Sequence, residues 1–214
     1  MQLLVFDLDG TLIDSKLDLA HAVNATRAHM GRGPLDVALV STYVGNGAPV
    51  LIRKALGEGA TETEIEEGLE FFLEYYREHK LDYTTLYPGV KQSLERIHRA
   101  GKRLAVLTNK PVAISRAIVD GLGVGACFFR VYGGNSFDFK KPHPIGLETL
   151  MGEAGVAREE TLMVGDSSVD IQTARNAGVS SCGVTYGFAP ESLCDPAPDL
   201  LVGRFDELAD WVLK

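Results

Sequence analysis

Apolar positions fall into two textures along this chain, and their alternation predicts its elements. Leu3 to Phe6, Arg103 to Leu107, Phe128 to Tyr132, Thr161 to Val164, Ser181 to Val184 and Leu200 to Val202 are short runs of the kind that strands buried on both faces present. Between them, apolar residues recur at helical spacing over Val90 to Ala100, Val112 to Leu122, Pro144 to Ala154, Val169 to Ala177 and Phe205 to Leu213. Strands alternating with helices predict an α/β fold, a doubly wound parallel sheet with helices on both faces. One block breaks that rhythm. After Asp14 and Ser15 a helical pattern carries Leu17, Leu19, Ala20, Val23, Ala25, Ala28 and Met30 until Gly31 to Pro34 ends it, and Leu35 to Tyr43, Val50 to Leu56 and Glu62 to Lys80 also read as helices. The expected organisation is therefore a core of residues 1–15 and 88–214, with a small all-helical domain, residues 16–87, inserted after the first strand. The two crossings, near Ser15 and Leu86, would act as hinges.

Composition narrows the class. A chain of 214 residues buries roughly 70% of its unfolded surface and needs no staples. Cys127, Cys182 and Cys194 are odd in number and lack Cys-x-x-Cys spacing, which argues against a disulfide framework and a thiolate zinc site and points to a reducing, cytoplasmic setting. No stretch reaches the ~18 apolar residues of a membrane helix, so a soluble protein with no membrane partner is expected, as a monomer or homodimer. A formal charge of -8 repels polyanions and makes nucleic acid a poor partner. Gly121 to Gly125 follows a helix, not a strand, and carries no dinucleotide reading.

In an open parallel sheet, ligands bind beyond the carboxyl ends of the strands. The first strand ends in Asp7 and Asp9, two apart and so on one side of an extended chain, before Gly10 allows a turn. Thr108 and Asn109 follow the strand ending at Leu107. A loop beyond Tyr132 reaches Lys140, Lys141 and Pro142, and Gly165, Asp166, Ser167, Ser168, Val169 and Asp170 follow Val164. Singly, Thr108 and Asn109 read as a helix cap, Asp166 and Asp170 as acids on a helix's first turn, and Lys141 as a surface lysine. Together they place four carboxylates, a lysine and a hydroxyl on one rim, which suits a hard cation and an oxyanion, Mg²⁺ with phosphate. Asp7 within about 4 Å of a phosphate dianion would face roughly 4 kcal/mol of repulsion per charge at an effective dielectric near 20, hence ~8 kcal/mol, which Mg²⁺ and Lys141 must offset.

These residues carry a resemblance. Asp7-Leu8-Asp9-Gly10-Thr11, Thr108-Asn109, Lys141-Pro142 and Gly165-Asp166-Ser167-Ser168-Val169-Asp170, in this order, resemble the four motifs of the haloacid dehalogenase superfamily of phosphotransferases, across the whole chain. The resemblance implies a Rossmann-like core and a Mg²⁺-dependent phosphatase. Asp7 would be the nucleophile that becomes aspartyl-phosphate. Asp9 would protonate the leaving alcohol and then activate water, with its backbone carbonyl toward Mg²⁺. Thr108 and the Asn109 backbone would hold phosphoryl oxygens, Lys141 would offset charge, Asp166 would ligate Mg²⁺, and Asp170 would be linked to the metal directly or through water. Asp9 with Asp166 separates the chain from the metal-free dehalogenases that name the family.

The helical insertion resembles the family's cap domain. Tyr43-Val44-Gly45-Asn46-Gly47-Ala48, with Phe6 to Ser15 and Asp18-Leu19-Ala20, is close to what phosphoglycolate phosphatases carry. Backbone amides of Gly45, Asn46 and Gly47 at a helix start could receive a carboxylate, with Arg53 as counter-charge; a plain loop and a solvated arginine are the alternatives. His143 and the loop of Asn135 and Phe137 to Lys140 are not diagnostic. The expected substrate is a small-molecule phosphate ester, 2-phosphoglycolate first. Alternatives are a phosphatase or mutase for sugar phosphates, nucleotides or pyrophosphate and, from another class, a catalytically silent phosphate-binding module.

Overall fold

The structure, a computed structural model, describes residues 1–214. Two compact units divide it: Met1–Asp14 with Leu86–Lys214, and Ser15–Thr85.

The first unit is a six-stranded parallel sheet built from β1 (Leu3–Phe6), β4 (Arg103–Leu107), β5 (Arg130–Tyr132), β6 (Thr161–Gly165), β7 (Ser180–Val184) and β8 (Leu200–Val202). Two-residue strands β2 (Ile13–Asp14) and β3 (Thr85–Leu86) mark the crossings into and out of the insertion. The strand order is β5-β4-β1-β6-β7-β8, and every pairing is parallel. From β1 the chain winds first to one side, through β4 and β5, and then to the other, through β6, β7 and β8. β1 therefore lies at the switch in strand order, where an open sheet leaves a crevice at its carboxyl edge. Helices α5 (Val90–Arg99), α6 (Val112–Gly121), α7 (Ile145–Ala154) and α8 (Ser168–Ala177) lie between strands, and α9 (Phe205–Val212) follows the last one.

Burial explains why these segments are strands. Leu3, Leu4, Val5 and Phe6 are all fully buried, which requires packing on both faces. On one face Leu3 and Val5 join Ala105, Leu107, Met163, Leu147, Leu150 and Ala174 in a single cluster; Phe6 meets Phe205 at a ring separation of 5.7 Å. At the base of the insertion, but within this unit, the Tyr87 N–H donates to the Leu12 carbonyl at 3.1 Å.

The second unit is helical: α1 (Lys16–His29), α2 (Val37–Ser41), α3 (Ala48–Leu56) and α4 (Glu62–His79). Its core gathers Leu19 and Val23 from α1, Ile52 and Leu56 from α3, and Ile65, Phe72 and Tyr76 from α4. Gly68 permits close packing, since a Cβ there would sit 3.0 Å from Leu56 Cδ1. α4 opens on a reciprocal cap, Glu64 N–H to Thr61 Oγ1 at 3.2 Å and Thr61 N–H to Glu64 Oε2 at 2.8 Å. No helix is long and apolar enough to cross a membrane.

Buried Asp18 ties the first turn of α1 to the far end of this unit. Its carboxylate accepts the Thr84 N–H at 2.8 Å, the Thr84 hydroxyl at 2.6 Å and the Tyr83 N–H at 3.0 Å. Asp18→Ala strips these buried donors of a charged acceptor and is expected to cost about 2 to 3 kcal/mol in denaturant unfolding. Thr84→Val, which removes one donor of the set, is expected to cost about 1 kcal/mol.

Some element bounds differ from the sequence expectation. The run from Leu35 to Tyr43 is helical only over Val37–Ser41, because Asp36 caps it through the Ala38 N–H at 2.8 Å. The strand expected over Phe128 to Tyr132 is confined to Arg130–Tyr132, a 3₁₀ turn at Gly125–Cys127 occupying the approach. Pro at the first turn lets α3 begin at Ala48, two residues before Val50.

Candidate active site

The three central strands deliver the site. β1 pairs with β4 and β6 in register, so Phe6 lies beside Val106 and Val164. Asp7 continues that ladder by one bond, its N–H donating to the Val164 carbonyl at 2.9 Å, and Thr108 does the same to the Tyr132 carbonyl at 3.1 Å. Their side chains emerge together at the carboxyl edge, where Asp7, Thr108, Asn109, Lys141, Asp166 and Asp170 are all buried.

Lys141 sits between two of the acids. Its Nζ lies 2.9 Å from Asp7 Oδ1 and 2.6 Å from Asp170 Oδ1, with its side chain only 2% exposed. Burial by itself would depress the Lys141 ammonium, but Asp170 and Asp7 outweigh it and hold the pKa above the ordinary lysine value. Asn109 steadies this lysine, its side-chain amide donating to the Lys141 carbonyl at 3.1 Å. Asn176 holds the next carbonyl, that of Pro142, at 2.8 Å.

Asp170 divides its two oxygens. Oδ1 takes Lys141, while Oδ2 accepts the Ser167 hydroxyl at 2.7 Å and the Ser167 N–H at 3.2 Å, closing the N-terminal cap of α8. Asp166 accepts the Phe188 N–H at 2.6 Å and the Thr11 hydroxyl at 3.4 Å. Glycine is required on both sides of it: a Cβ at Gly10, whose φ is +81°, would lie 2.2 Å from Asp166 Oδ2, and one at Gly187 would lie 2.2 Å from Asp166 Cβ.

Crowding acids in a dry crevice has an electrostatic consequence. Burial first, then the negative charge of Asp170, raises Asp7 to about 6 even though Lys141 pulls the other way. Asp166 rises to about 8, again through burial first and then through Asp170 and Asp7. Asp166 resists ionisation at neutral pH and Asp7 ionises later than an ordinary aspartate, which marks a site short of positive charge.

The donor set fits a divalent cation. Asp7, Asp166 and Asp170 each bring a carboxylate oxygen within 4.8 Å of the others. Asp7 Oδ1 is buried and has no neutral donor, its one close partner being the Lys141 ammonium at 2.9 Å. Hard oxygen donors of this kind suit Mg²⁺.

Residues that sequence reasoning missed also belong here. Lys110 Nζ lies 2.8 Å from Asp9 Oδ1 and 3.0 Å from Oδ2, so Asp9 holds a lysine of its own. Thr185 to Phe188, just after β7, supply the Phe188 N–H to Asp166 and the Tyr186 hydroxyl to the Thr11 carbonyl at 2.9 Å. The same inspection of residues following each strand, extended to β7, would have found the second group. Lys110 directly follows Thr108 and Asn109.

The remaining expected residues belong to the helical unit. Gly45 and Asn46 lie in the turn before α3, and Gly47, at φ +86°, is its N-cap. Arg53 is exposed and paired to Glu62, 2.6 Å between Nη1 and Oε1 and 2.7 Å between Nη2 and Oε2.

A doubly wound sheet presents at its switch point an aspartate pair, a buried lysine and further acids from the neighbouring strand, the frame of a carboxylate-lined hydrolase. The family model for haloacid dehalogenase-like hydrolases matches residues 4–184, and the chain belongs to that family. Proteins similar to it include phosphoglycolate phosphatases. The phosphoglycolate phosphatase of Vibrio vulnificus (strain CMCP6) is 40% identical over 222 residues, covering 100% of this chain and 96% of that one. That of Pseudomonas fluorescens (strain Pf0-1) is 38% identical over 227 residues, covering 99% and 83%. A crystal structure from Haemophilus somnus 129PT, described as a predicted phosphoglycolate phosphatase, superimposes with a TM-score of 0.93 at 34% identity, covering 99% and 97%.

Proposed function

We propose that this chain is a Mg²⁺-dependent phosphatase that hydrolyses a small phosphorylated acid, 2-phosphoglycolate first, through an aspartyl-phosphate on Asp7. The observation that carries the reading is the buried Asp7 carboxylate at the switch point, 2.9 Å from Lys141 Nζ and followed two residues later by a second acid. The names of the relatives support the substrate.

In the first step an Asp7 oxygen attacks phosphorus, the bond from phosphorus to the ester oxygen breaks, and Asp9 gives its proton to that oxygen. In the second, Asp9 takes a proton from water, the water oxygen attacks phosphorus, and the bond to Asp7 breaks to release inorganic phosphate. Lys141 offsets charge on Asp7 and the phosphoryl group throughout, and Thr108 with the Asn109 backbone binds phosphoryl oxygens. Mg²⁺, held by Asp7, the Asp9 carbonyl and Asp166 with Asp170 behind them, would neutralise the oxygens that Asp7 must approach.

The Ser15–Thr85 unit serves as the cap that selects substrate, with the turn at Gly45, Asn46 and Gly47 as its anion-binding candidate. Free Cys127, Cys182 and Cys194 suit a reducing, cytoplasmic location. The test is phosphate release with Mg²⁺ over 2-phosphoglycolate, phosphoserine, hexose phosphates, nucleoside monophosphates and pyrophosphate. A kcat/KM for 2-phosphoglycolate at least about tenfold above the rest, a differential of about 1.4 kcal/mol in transition-state binding, is expected. A flat profile would overturn the substrate, and conversion to isomeric esters without phosphate release would overturn the hydrolase.

A further inference from the structure

Only two cationic side chains are buried in the α/β unit, Lys110 and Lys141. Lys141 is committed between Asp7 and Asp170. Lys110 has no part in the steps above, yet its side chain is 5% exposed and its ammonium straddles both oxygens of Asp9.

The backbone that carries Lys110 is fixed. Its N–H donates to Thr108 Oγ1 at 3.3 Å, and its carbonyl accepts the Gly134 N–H at 2.9 Å. Gly133 and Gly134 pack so tightly there that Cβ atoms would lie 2.3 Å from the Val112 nitrogen and 2.3 Å from the Asn109 carbonyl oxygen. From this anchor a flexible four-carbon stem carries a compact charge, which shifts contacts more readily than a guanidinium fork does.

Asp9 serves the leaving-group oxygen, so whatever the alcohol carries lies beside Asp9. Once Asp9 has given up its proton, a substrate carboxylate about 4 Å from it would meet repulsion on the order of a thousandfold in an equilibrium constant at an effective dielectric near 20. A substrate acid group can occupy that position only with a cation between it and Asp9. We infer that Lys110 is the residue that recognises the second anionic group of the substrate, its ammonium lying between Asp9 and a carboxylate attached one or two carbons from the ester oxygen. Arg53, whose two terminal guanidinium nitrogens are both held by Glu62, is not needed for this contact. The inference rests on the proposed substrate class, a phosphorylated small acid, and assigns the core residue that reads the acid.

Two unreactive ligands isolate the contact. 3-Phosphonopropionate carries the phosphoryl and carboxylate groups of 2-phosphoglycolate with a methylene in place of the ester oxygen; propylphosphonate lacks the carboxylate. With Mg²⁺ present, calorimetry on the wild type is expected to show the carboxylated ligand binding about 10- to 100-fold tighter, the range of a charged hydrogen bond. Lys110→Met and Lys110→Gln are expected to bring the two ligands within about threefold of each other. Lys110→Gln keeps a donor for Asp9, and it decides the matter if Lys110→Met does not fold. A ratio preserved in Lys110→Gln would overturn the inference, because a lysine that only positions Asp9 weakens both ligands equally. No carboxylate advantage in the wild type would overturn it as well. The substrate reading is scored separately: if another carboxylated ester is turned over better than 2-phosphoglycolate while the ratio still collapses in the variants, glycolate falls and Lys110 stands. If 2-phosphoglycolate is the best substrate and the ratio survives in Lys110→Gln, Lys110 falls and the substrate stands.

Discussion

Asp7→Asn is expected to lower kcat by roughly four to six decades, the scale on which removal of a nucleophile acts, while leaving the folded protein as stable as the wild type or more so. Both halves follow from where β1 ends. The Asp7 backbone is held by the ladder bond to Val164, which asparagine keeps, so the side chain still points into the crevice. The amide nitrogen and oxygen together cannot replace a carboxylate as attacking group, and no other carboxylate of the site is free to take its place: Asp9 is held by Lys110, Asp166 by the Phe188 N–H and the Thr11 hydroxyl, and Asp170 by Lys141 and Ser167. On the stability side, burial holds Asp7 near 6, which means that its charge is unwelcome in the fold. A neutral isostere removes that burden, and Lys141 retains Asp170 at 2.6 Å. Phosphate release and thermal unfolding of the same preparation give the two readouts. Residual turnover above about one per cent of wild type, with the fold intact, would mean that Asp7 is not the nucleophile.

The core sheet was readable because its strands are buried on both faces. Leu3 to Phe6 needs no alternation to announce itself when all of its positions are fully buried. The rule that ligands gather at the carboxyl edge then located Asp7, Thr108 and Asp166 without knowledge of the strand order, since the residue after each strand lands on that edge whatever its neighbours, and Lys141 through the loop that leaves β5 at the same edge. What did not read out was pairing. Nothing in the letters around Thr108 and Asn109 says that the residue after them, Lys110, folds back onto Asp9 101 residues away, because a lysine after a helix-cap pattern is most often solvated. The Phe188 N–H contact to Asp166 is a backbone donor and leaves no side-chain signature. Gly187 does carry one, but only once its neighbour is known: the glycine is needed because Asp166 occupies the space a Cβ would take. Short elements escaped for a related reason. β2 and β3 have two residues each, too few for any periodicity.

Mg²⁺ is expected to raise the thermal stability of this protein in a pH-dependent way, strongly near pH 8 and hardly at all below pH 5. Asp7 and Asp166, at about 6 and about 8 in the folded protein against 3.8 as the ordinary value, hold protons that the unfolded chain has already released. The folded state therefore binds more protons between about pH 4 and pH 8, and stability falls as the pH rises through that window. Their contribution is fully present below about pH 4 and is lost by about pH 8, on the order of a few kcal/mol. A divalent cation reverses the penalty by giving the ionised carboxylates a partner, and it competes with the same protons for the same oxygens. At about 100 times its Kd the ion adds about 3 kcal/mol, or roughly 5 to 10 °C in Tm for a chain of this size. Thermal scans with Mg²⁺ or with a chelator, run at intervals from pH 5 to pH 8.5, should show the two curves separating as pH rises. Asp166→Asn is expected to flatten the metal-free curve and to remove most of the Mg²⁺ response, because the group with the larger upward shift is then uncharged at every pH. If Asp166→Asn responded to Mg²⁺ as the wild type does, the ion would be binding elsewhere, and the crowded acids at the switch point would need another explanation for being buried together.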